Sequence, residues 1–223
     1  MTTATAIQKI LKSPRAVQHL DAMKQALMEE TEKRKAFYEW IDENTKAEFI
    51  GGEVVVHSPV SGEHWMASDL LASTLSVYTR TKKLGKVGVE KVMISLTHND
   101  YEPDIVFFKK EKADIFMQGQ VLFPAPDFIV EILSKKTAKT DKTIKKADYA
   151  AHGVKEYWII DPVKQTIEQY ILLKDTDTEY FLPYIHSIDD DITSRVIEGF
   201  SIPVRAIFDE AANVEALAQL MKV

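Results

Sequence analysis

Cysteine is absent from this 223-residue sequence, which excludes disulfides, thiolate metal sites and cysteine nucleophiles. No stretch approaches the roughly 18 uninterrupted apolar residues that a membrane-spanning helix needs. Residues 1–20 lack a basic segment followed by a long apolar one, so we expect no secretory signal. Together these absences predict a cytoplasmic protein without a membrane partner.

The sequence also lacks a P-loop, a GxGxxG motif and a GxSxG motif, so nucleotide hydrolysis by those routes and serine hydrolase chemistry have no support. The net charge of −6 argues against non-specific wrapping of nucleic acid but leaves room for a local basic groove. A content of 45% hydrophobic and 28% charged residues is typical of a globular protein with a sizeable core.

The pattern of apolar residues divides the chain into a helical N-terminal extension, residues 1–45, and a domain of residues 46–223. In the extension, Leu20, Met23 and Leu27 recur at helical spacing with charges between them, which predicts an amphipathic stripe. We expect this extension to serve packing or contact within a dimer, and we assign no chemistry to it.

The domain contains both strand and helix patterns. Gly51-Gly52 between two short apolar runs predicts a tight hairpin, and Ser61 suits the N-cap of the next helix. The predicted elements that follow are a helix over 63–82, a strand pair within 85–96, strands over 104–108 and 127–133, a helix over 140–152, strands over 156–160 and 166–172, and closing helical segments over 204–208 and 215–221.

Two acids, Asp104 and Glu131, lie in or beside apolar strand patterns. Strand alternation puts Glu131 on the same face as Ile129 and Leu133. A carboxylate among branched apolar side chains is costly to bury unless a cation, a proton or several donors compensate it. Two acids on adjacent strands commonly hold a divalent metal, because Mg²⁺ takes few carboxylates and keeps several waters. On spacing alone, a capping role for Asp104 and a structural Glu131–lysine pair is the favoured alternative.

A lysine-rich segment follows Glu131. If residues 140–152 form a helix, Asp141, Lys145 and Tyr149 fall on one face, which could place one ammonium beside the acid pair. The other lysines could then face phosphates. For most of these lysines, however, a solvated helix face with an ordinary Asp141–Lys145 pair is the better interpretation.

Weaker signals come from one histidine and two further acids. His64 begins a predicted helix, but no histidine pair has the spacing of a zinc motif and no nearby acid completes one. A surface or capping role is therefore predicted, with His64 the first histidine to test. Glu48 and Glu53 flank the Gly-Gly turn, and we expect them to be solvent-facing strand acids, retained as lesser site candidates.

The candidate residues belong to a longer pattern. It runs from Glu48-Phe-Ile-Gly-Gly-Glu53 through a Ser-Pro loop to His64, and then through Pro103-Asp104-Ile-Val and Asp127-Phe-Ile-Val-Glu131-Ile-Leu-Ser134. It continues as Asp141-xxx-Lys145-xxx-Tyr149-xxx-Gly153-Val-Lys-Glu156-Tyr157-Trp158-Ile-Ile-Asp161-Pro162. Over residues 46–172 this pattern resembles the Uma-two family (Uma2) of restriction-endonuclease-like proteins.

That family belongs to the PD-(D/E)XK nuclease superfamily, so the resemblance implies an α/β (α+β) fold with a mixed central sheet flanked by helices. It also implies that Asp104 and Glu131 hold Mg²⁺ or Mn²⁺ together with the backbone carbonyl of Ile132. The superfamily places a lysine two residues after the second acid, where this chain has Leu133. The matching cation is Lys145, supplied by the following helix.

The resemblance thus implies metal-dependent hydrolysis of DNA. Lys145 would orient a water or stabilise the phosphate, and Asp141 and Tyr149 would hold that lysine in place. Gly51 stands where the family usually has aspartate, which argues against a catalytic role for that turn. The alternative is a non-catalytic member that binds nucleic acid or a protein partner. A carboxylate-pair glycosidase is less consistent with the residues, because Lys145 would have no role in it.

Overall fold

The computed structural model describes residues 3–222, with side chains from residue 5 onward, and divides into two compact units between Val56 and His57. The helices are α1 (Thr3–Leu11), α2 (Ala16–Trp40), α3 (Gly62–Lys82), α4 (Lys110–Ala113), α5 (Ala138–Thr140), a π-helical turn (Asp141–Lys145), α6 (Lys146–Ala151), a 3₁₀ turn (Val204–Ile207) and α7 (Glu210–Leu220). The strands are β1 (Ala47–Ile50), β2 (Glu53–Val56), β3 (Gly85–Val89), β4 (Met93–Ser95), β5 (Asp100–Tyr101), β6 (Ile105–Lys109), β7 (Leu122–Phe123), β8 (Phe128–Ile132), β9 (Glu156–Asp161), β10 (Thr166–Ile171), β11 (Tyr184–His186), β12 (Asp191–Thr193) and β13 (Ser201–Pro203).

The first unit ends in the predicted hairpin, which is confirmed. β1 and β2 pair antiparallel, with Ile50 opposite Glu53. Gly51 and Gly52 between them have φ values of 58° and 81°. A two-residue turn of this kind needs positive φ at both central positions, which glycine adopts without steric cost.

Helix α2 buries much less of its surface than the amphipathic pattern suggests. Leu20, Met23 and Leu27 are 49%, 52% and 45% exposed, so the predicted stripe is not a buried face of this chain. Phe37, near the end of α2, is buried and its ring lies 5.8 Å from that of Phe49 in β1. A dimer contact through the exposed stripe stays a prediction.

The second unit is built on a six-stranded mixed sheet with the strand order β11-β10-β9-β8-β6-β3. Strands β8 and β9 are parallel, whereas the other neighbours are antiparallel. Parallel neighbours need a crossover connection, and here α5, the π-helical turn and α6 supply it. The crossover brings this helical segment back beside β8.

One face of the sheet forms the main hydrophobic core. Phe128, Val130 and Ile132 of β8 alternate onto this face and pack with Leu71 and Leu75 of α3. Complete burial of each such side chain contributes about 1.5–3 kcal/mol. Strand alternation directs Ile129 and Glu131 to the opposite face, as predicted.

One local prediction was wrong, and a second was confirmed with a shifted start. Strands β3 and β4 lie within the predicted pair, but β3 pairs with β6, whereas β4 pairs with β5 and β7. Glu90, with a φ of 53°, redirects the chain between them. The helix predicted over 140–152 starts at Ala138 and contains the π-helical turn, a feature frequent at functional sites. It ends before Gly153, whose φ of 75° fits the predicted stop signal.

Glu156 is a buried carboxylate with an architectural role that the sequence did not reveal. Oε1 accepts hydrogen bonds from the Trp158 indole and the Gln169 amide, both at 2.7 Å. Oε2 accepts from the Ser194 hydroxyl at 2.7 Å and from the backbone N–H groups of Arg195 and Val196. These bonds fasten the segment that follows β12 to the central sheet.

None of the helices in the described part of the chain combines the length and the apolar composition that a membrane span requires.

Candidate active site

The two predicted acids lie at neighbouring positions of the central sheet. Ile105 of β6 pairs with Val130 of β8, and extending this register by one residue places Asp104 opposite Glu131. Opposite residues of an antiparallel pair project on the same face. The carboxylate of Asp104 is fixed at the end of β8, because Oδ2 accepts a 2.8 Å hydrogen bond from the backbone N–H of Ile132.

Lys145 reaches the second acid from the crossover helix. Its Nζ donates to Oε1 of Glu131 at 3.0 Å and lies 3.3 Å from Oδ1 of Asp141, one helical turn earlier. The Tyr149 hydroxyl donates to the same Glu131 oxygen at 2.9 Å. Helix spacing thus brings Lys145 and Tyr149 to the same carboxylate, and it places Asp141 beside the lysine.

Tyr101, which the sequence analysis did not identify as a candidate, also lies beside Lys145. Lys145 Nζ lies 5.7 Å from the centroid of the Tyr101 ring, within the range of a cation–π interaction. Tyr101 packs edge-on against Tyr149 at 5.2 Å, and its hydroxyl donates to Asp148 at 2.8 Å. Tyr101 belongs to the short strand β5, so only the folded arrangement connects it to Lys145.

The second unit buries more negative than positive charge. Among its described side chains six carboxylates are buried, whereas Lys145 is the single buried lysine or arginine; the six are Asp100, Glu102, Asp104, Glu131, Asp141 and Glu156. These negative charges affect the neighbouring Tyr157. Its pKa is raised well above the ordinary value of 10.0, first by burial and then by the charges of Glu131 and Asp141. A buried region with this imbalance favours a bound cation.

His64 corrects the expectation of a surface or capping histidine. Its backbone N–H does bond the Ser61 hydroxyl, which caps α3 as predicted, but the His64 ring is buried with 5% of the residue exposed. Nε2 lies 3.3 Å from Oδ1 of Asp104. His64, Glu90 and Asp104 each offer one ligand atom, and these three atoms lie within 4.8 Å of one another. Sequence spacing could not reveal this cluster, because 26 and 14 residues separate its members.

Glu48 and Glu53 differ from each other. Glu53 on β2 is exposed, as expected, and lies 3.7 Å from Lys33. Glu48 on β1 is 1% exposed, so the expectation of a solvent-facing acid was wrong there. Ala47, Glu48 and Phe49 are all buried, and alternation cannot identify an inward residue on a strand covered on both faces.

Most of the other lysines of this segment lie at the surface, as expected for a solvated helix face. Lys135, Lys136 and Lys139 are exposed. Lys142 is half-buried and pairs with Glu168 of β10 at 2.5 Å. Because these lysines lie near the surface, Lys145 differs from its neighbours in burial as well as in its partners.

Comparisons with known proteins show the class and the family of this chain. The fold is of the restriction-endonuclease-like class. A family model described as "Putative restriction endonuclease", Uma2, matches residues 34–205, well over half of the chain, so this protein belongs to the Uma2 family. The resemblance stated from the sequence is confirmed, and the match begins inside α2, upstream of the predicted domain start.

A solved structure supports the fold independently. It is described as the crystal structure of a "putative nuclease belonging to DUF820" from Anabaena variabilis ATCC 29413, and it is 18% identical to this chain with a TM-score of 0.66. The alignment covers 79% of this chain and 96% of that one. The predicted α/β fold with a mixed sheet flanked by helices is thereby confirmed. A search of curated proteins finds no match.

Proposed function

We propose that this protein is a metal-dependent nuclease that hydrolyses phosphodiester bonds of DNA. The observation that carries this proposal is the buried Lys145 ammonium, 3.0 Å from Glu131, with Asp104 at the next register position of the adjacent strand. Two acids and one lysine in this arrangement match what the family pattern requires. The family description and the nuclease name of the solved relative support the same class of activity.

The residues fit a divalent cation. Asp104 and Glu131 would hold Mg²⁺ or Mn²⁺ together with the Ile132 carbonyl, and the excess of buried carboxylates favours such an ion. The N–H of Ile132 is directed at Asp104, and in an extended strand the carbonyl of a residue points to the same side as its N–H. The chemistry supplied by such an ion is activation of water and neutralisation of charge on the phosphate.

The side chains around the ion would position the reactants. Lys145 would direct the attacking water and stabilise the charge that develops on the phosphate oxygens. Asp141 would keep the Lys145 amine in place, and the Tyr149 hydroxyl would fix the orientation of Glu131. Attack of water on phosphorus breaks one P–O ester bond and yields a phosphate monoester and an alcohol.

We assign this activity to residues 46–223, with residues 1–45 as a helical extension. The chain is acidic overall, so the exposed lysines of the crossover segment would provide much of the contact with phosphates. Formation of a homodimer, which could provide a groove for DNA, stays a prediction. A cytoplasmic location also stays a prediction.

The experiment that tests the proposal is cleavage of supercoiled plasmid DNA by the full chain with Mg²⁺ or Mn²⁺. We expect Glu131→Gln and Asp104→Asn to lower the rate by about 100-fold or more. Glu168→Gln is the matched control, because Glu168 also pairs with a lysine of the crossover segment but lies outside the site. DNA binding by folded wild-type protein, with no cleavage in either metal, would refute the nuclease and support the non-catalytic alternative.

A further inference from the structure

We propose that His64 and Glu90 are metal ligands beside Asp104, and that they give this site a preference for first-row transition-metal dications such as Mn²⁺ over Mg²⁺. The inference rests on the proposed function for its biological meaning, but it concerns metal binding and is testable without DNA. The ligands that the resemblance implies are Asp104, Glu131 and the Ile132 carbonyl, so His64 and Glu90 are additional to them.

The first observation is a buried imidazole with unmet polar atoms. His64 is 5% exposed, and within the part of the chain that the structure describes neither ring nitrogen has a hydrogen-bond partner. Nε2 lies 3.3 Å from Oδ1 of Asp104, close enough for an ion pair but not oriented as a hydrogen bond. A buried polar group in this state is rare and costly, and a bound ion would account for it.

The distances also suit one cation. With metal–ligand bonds of about 2.1 Å, two ligand atoms 3.3 Å apart subtend an angle of roughly 100° at the ion, which falls between octahedral and tetrahedral geometry. The third ligand atom, from Glu90, lies within 4.8 Å of both others. Small side-chain shifts therefore suffice to bring all three onto one ion.

The backbone conformation of Glu90 positions it beside His64 and Asp104. Its φ of 53° lies in the left-handed region, which is sparsely populated by residues other than glycine, asparagine and aspartate. Its backbone N–H donates to the carbonyl of Asp104 at 3.0 Å, so the turn after β3 is tied to the residue that begins the site. Strained backbone of this kind is often retained where it orients a functional side chain.

The two carboxylates of the sheet are therefore in different situations. Oδ1 of Asp104 is directed toward His64, whereas Oε1 of Glu131 accepts hydrogen bonds from Lys145 and Tyr149. An imidazole nitrogen is a better ligand for transition metals than for Mg²⁺, which prefers carboxylate, carbonyl and water oxygens. One histidine with two acids thus shifts the metal preference of the site.

The test is binding of Mn²⁺ to the full chain without DNA, followed by electron paramagnetic resonance. We expect Mn²⁺ to be bound with nitrogen modulation from an imidazole in the spin-echo signal, and to resist a large excess of Mg²⁺. His64→Gln should abolish the nitrogen modulation and weaken binding by at least the roughly 10–100-fold seen when outer-shell groups are removed. The exposed His19 provides the matched control, and His19→Gln should change neither readout.

Glu90→Gln is the second variant, because Glu90 is only half-buried and its replacement leaves the histidine in place. We expect it to weaken Mn²⁺ binding while the nitrogen modulation persists at saturating Mn²⁺. Unchanged Mn²⁺ affinity in folded His64→Gln and Glu90→Gln would overturn the inference, even if the wild type cleaves DNA. Conversely, His64-dependent Mn²⁺ binding by a chain that cleaves no DNA would uphold this site and refute the nuclease.

Discussion

Replacement of Lys145 by methionine tests whether this lysine compensates buried charge. Lys145 is 2% exposed, and its Nζ lies 3.0 Å from Glu131 and 3.3 Å from Asp141, both of them buried. Methionine has a similar length and fills irregular space well, so little packing is lost. Removing one partner of a buried ion pair commonly costs about 3–5 kcal/mol, because an uncompensated charge stays in the interior. We expect Lys145→Met to lower the free energy of unfolding by that amount.

The effect should depend on pH. A buried carboxylate without a cation binds a proton more readily, and protonation removes the uncompensated charge. The stability difference between Lys145→Met and wild type should therefore narrow as the pH falls. Adding Glu131→Gln to Lys145→Met should recover part of the loss, because one of the two carboxylates that contact Lys145 in the wild type is then neutral.

Urea unfolding followed by tryptophan fluorescence measures these differences. Lys142→Met is the matched control, since Lys142 lies in the same π-helical turn but forms a half-exposed pair with Glu168. Such a pair is worth about 0–1 kcal/mol. Two outcomes would show that Lys145 does not compensate the buried acids. One is that Lys145→Met lowers the free energy of unfolding no more than Lys142→Met does. The other is that the loss caused by Lys145→Met is the same at every pH.

Two further predictions concern the architecture. Burial lowers the pKa of His186 below its ordinary value of 6.5, although the charge of Asp190 partly offsets it, so the unfolded chain binds the proton more readily. The free energy of unfolding should therefore fall as the pH drops below about 6.5. His186→Gln should reduce this fall in urea titrations. A variant with the same pH profile as the wild type would contradict the prediction. Glu156→Ala should lower the free energy of unfolding by about 3 kcal/mol, because five donors lose a hydrogen bond to a buried charged acceptor. A loss under about 1 kcal/mol in the same titration would show that water replaces the carboxylate.

The local elements follow largely from nearest-neighbour chemistry, which is why they could be predicted. Gly51-Gly52 admits positive φ at two successive positions, so the hairpin follows from the two residues themselves. Helical spacing alone puts Asp141, Lys145 and Tyr149 on one face. The family resemblance then identified Lys145 as the partner of Glu131, and their 3.0 Å contact agrees with it. The catalytic roles of these residues stay proposals.

The rest was decided by tertiary structure, because it depends on segments far apart in the chain. Strands β3 and β4 look like a pair in sequence, but a strand joins whichever edge the whole sheet offers it, and β3 pairs with β6. His64 and Glu90 carry no spacing signal, since each comes from a different element and they meet only where α3 and the turn after β3 reach Asp104. Local sequence thus determined most of the elements, and the family resemblance added the acid–lysine set, whereas long-range packing determined which polar groups share the buried end of the sheet.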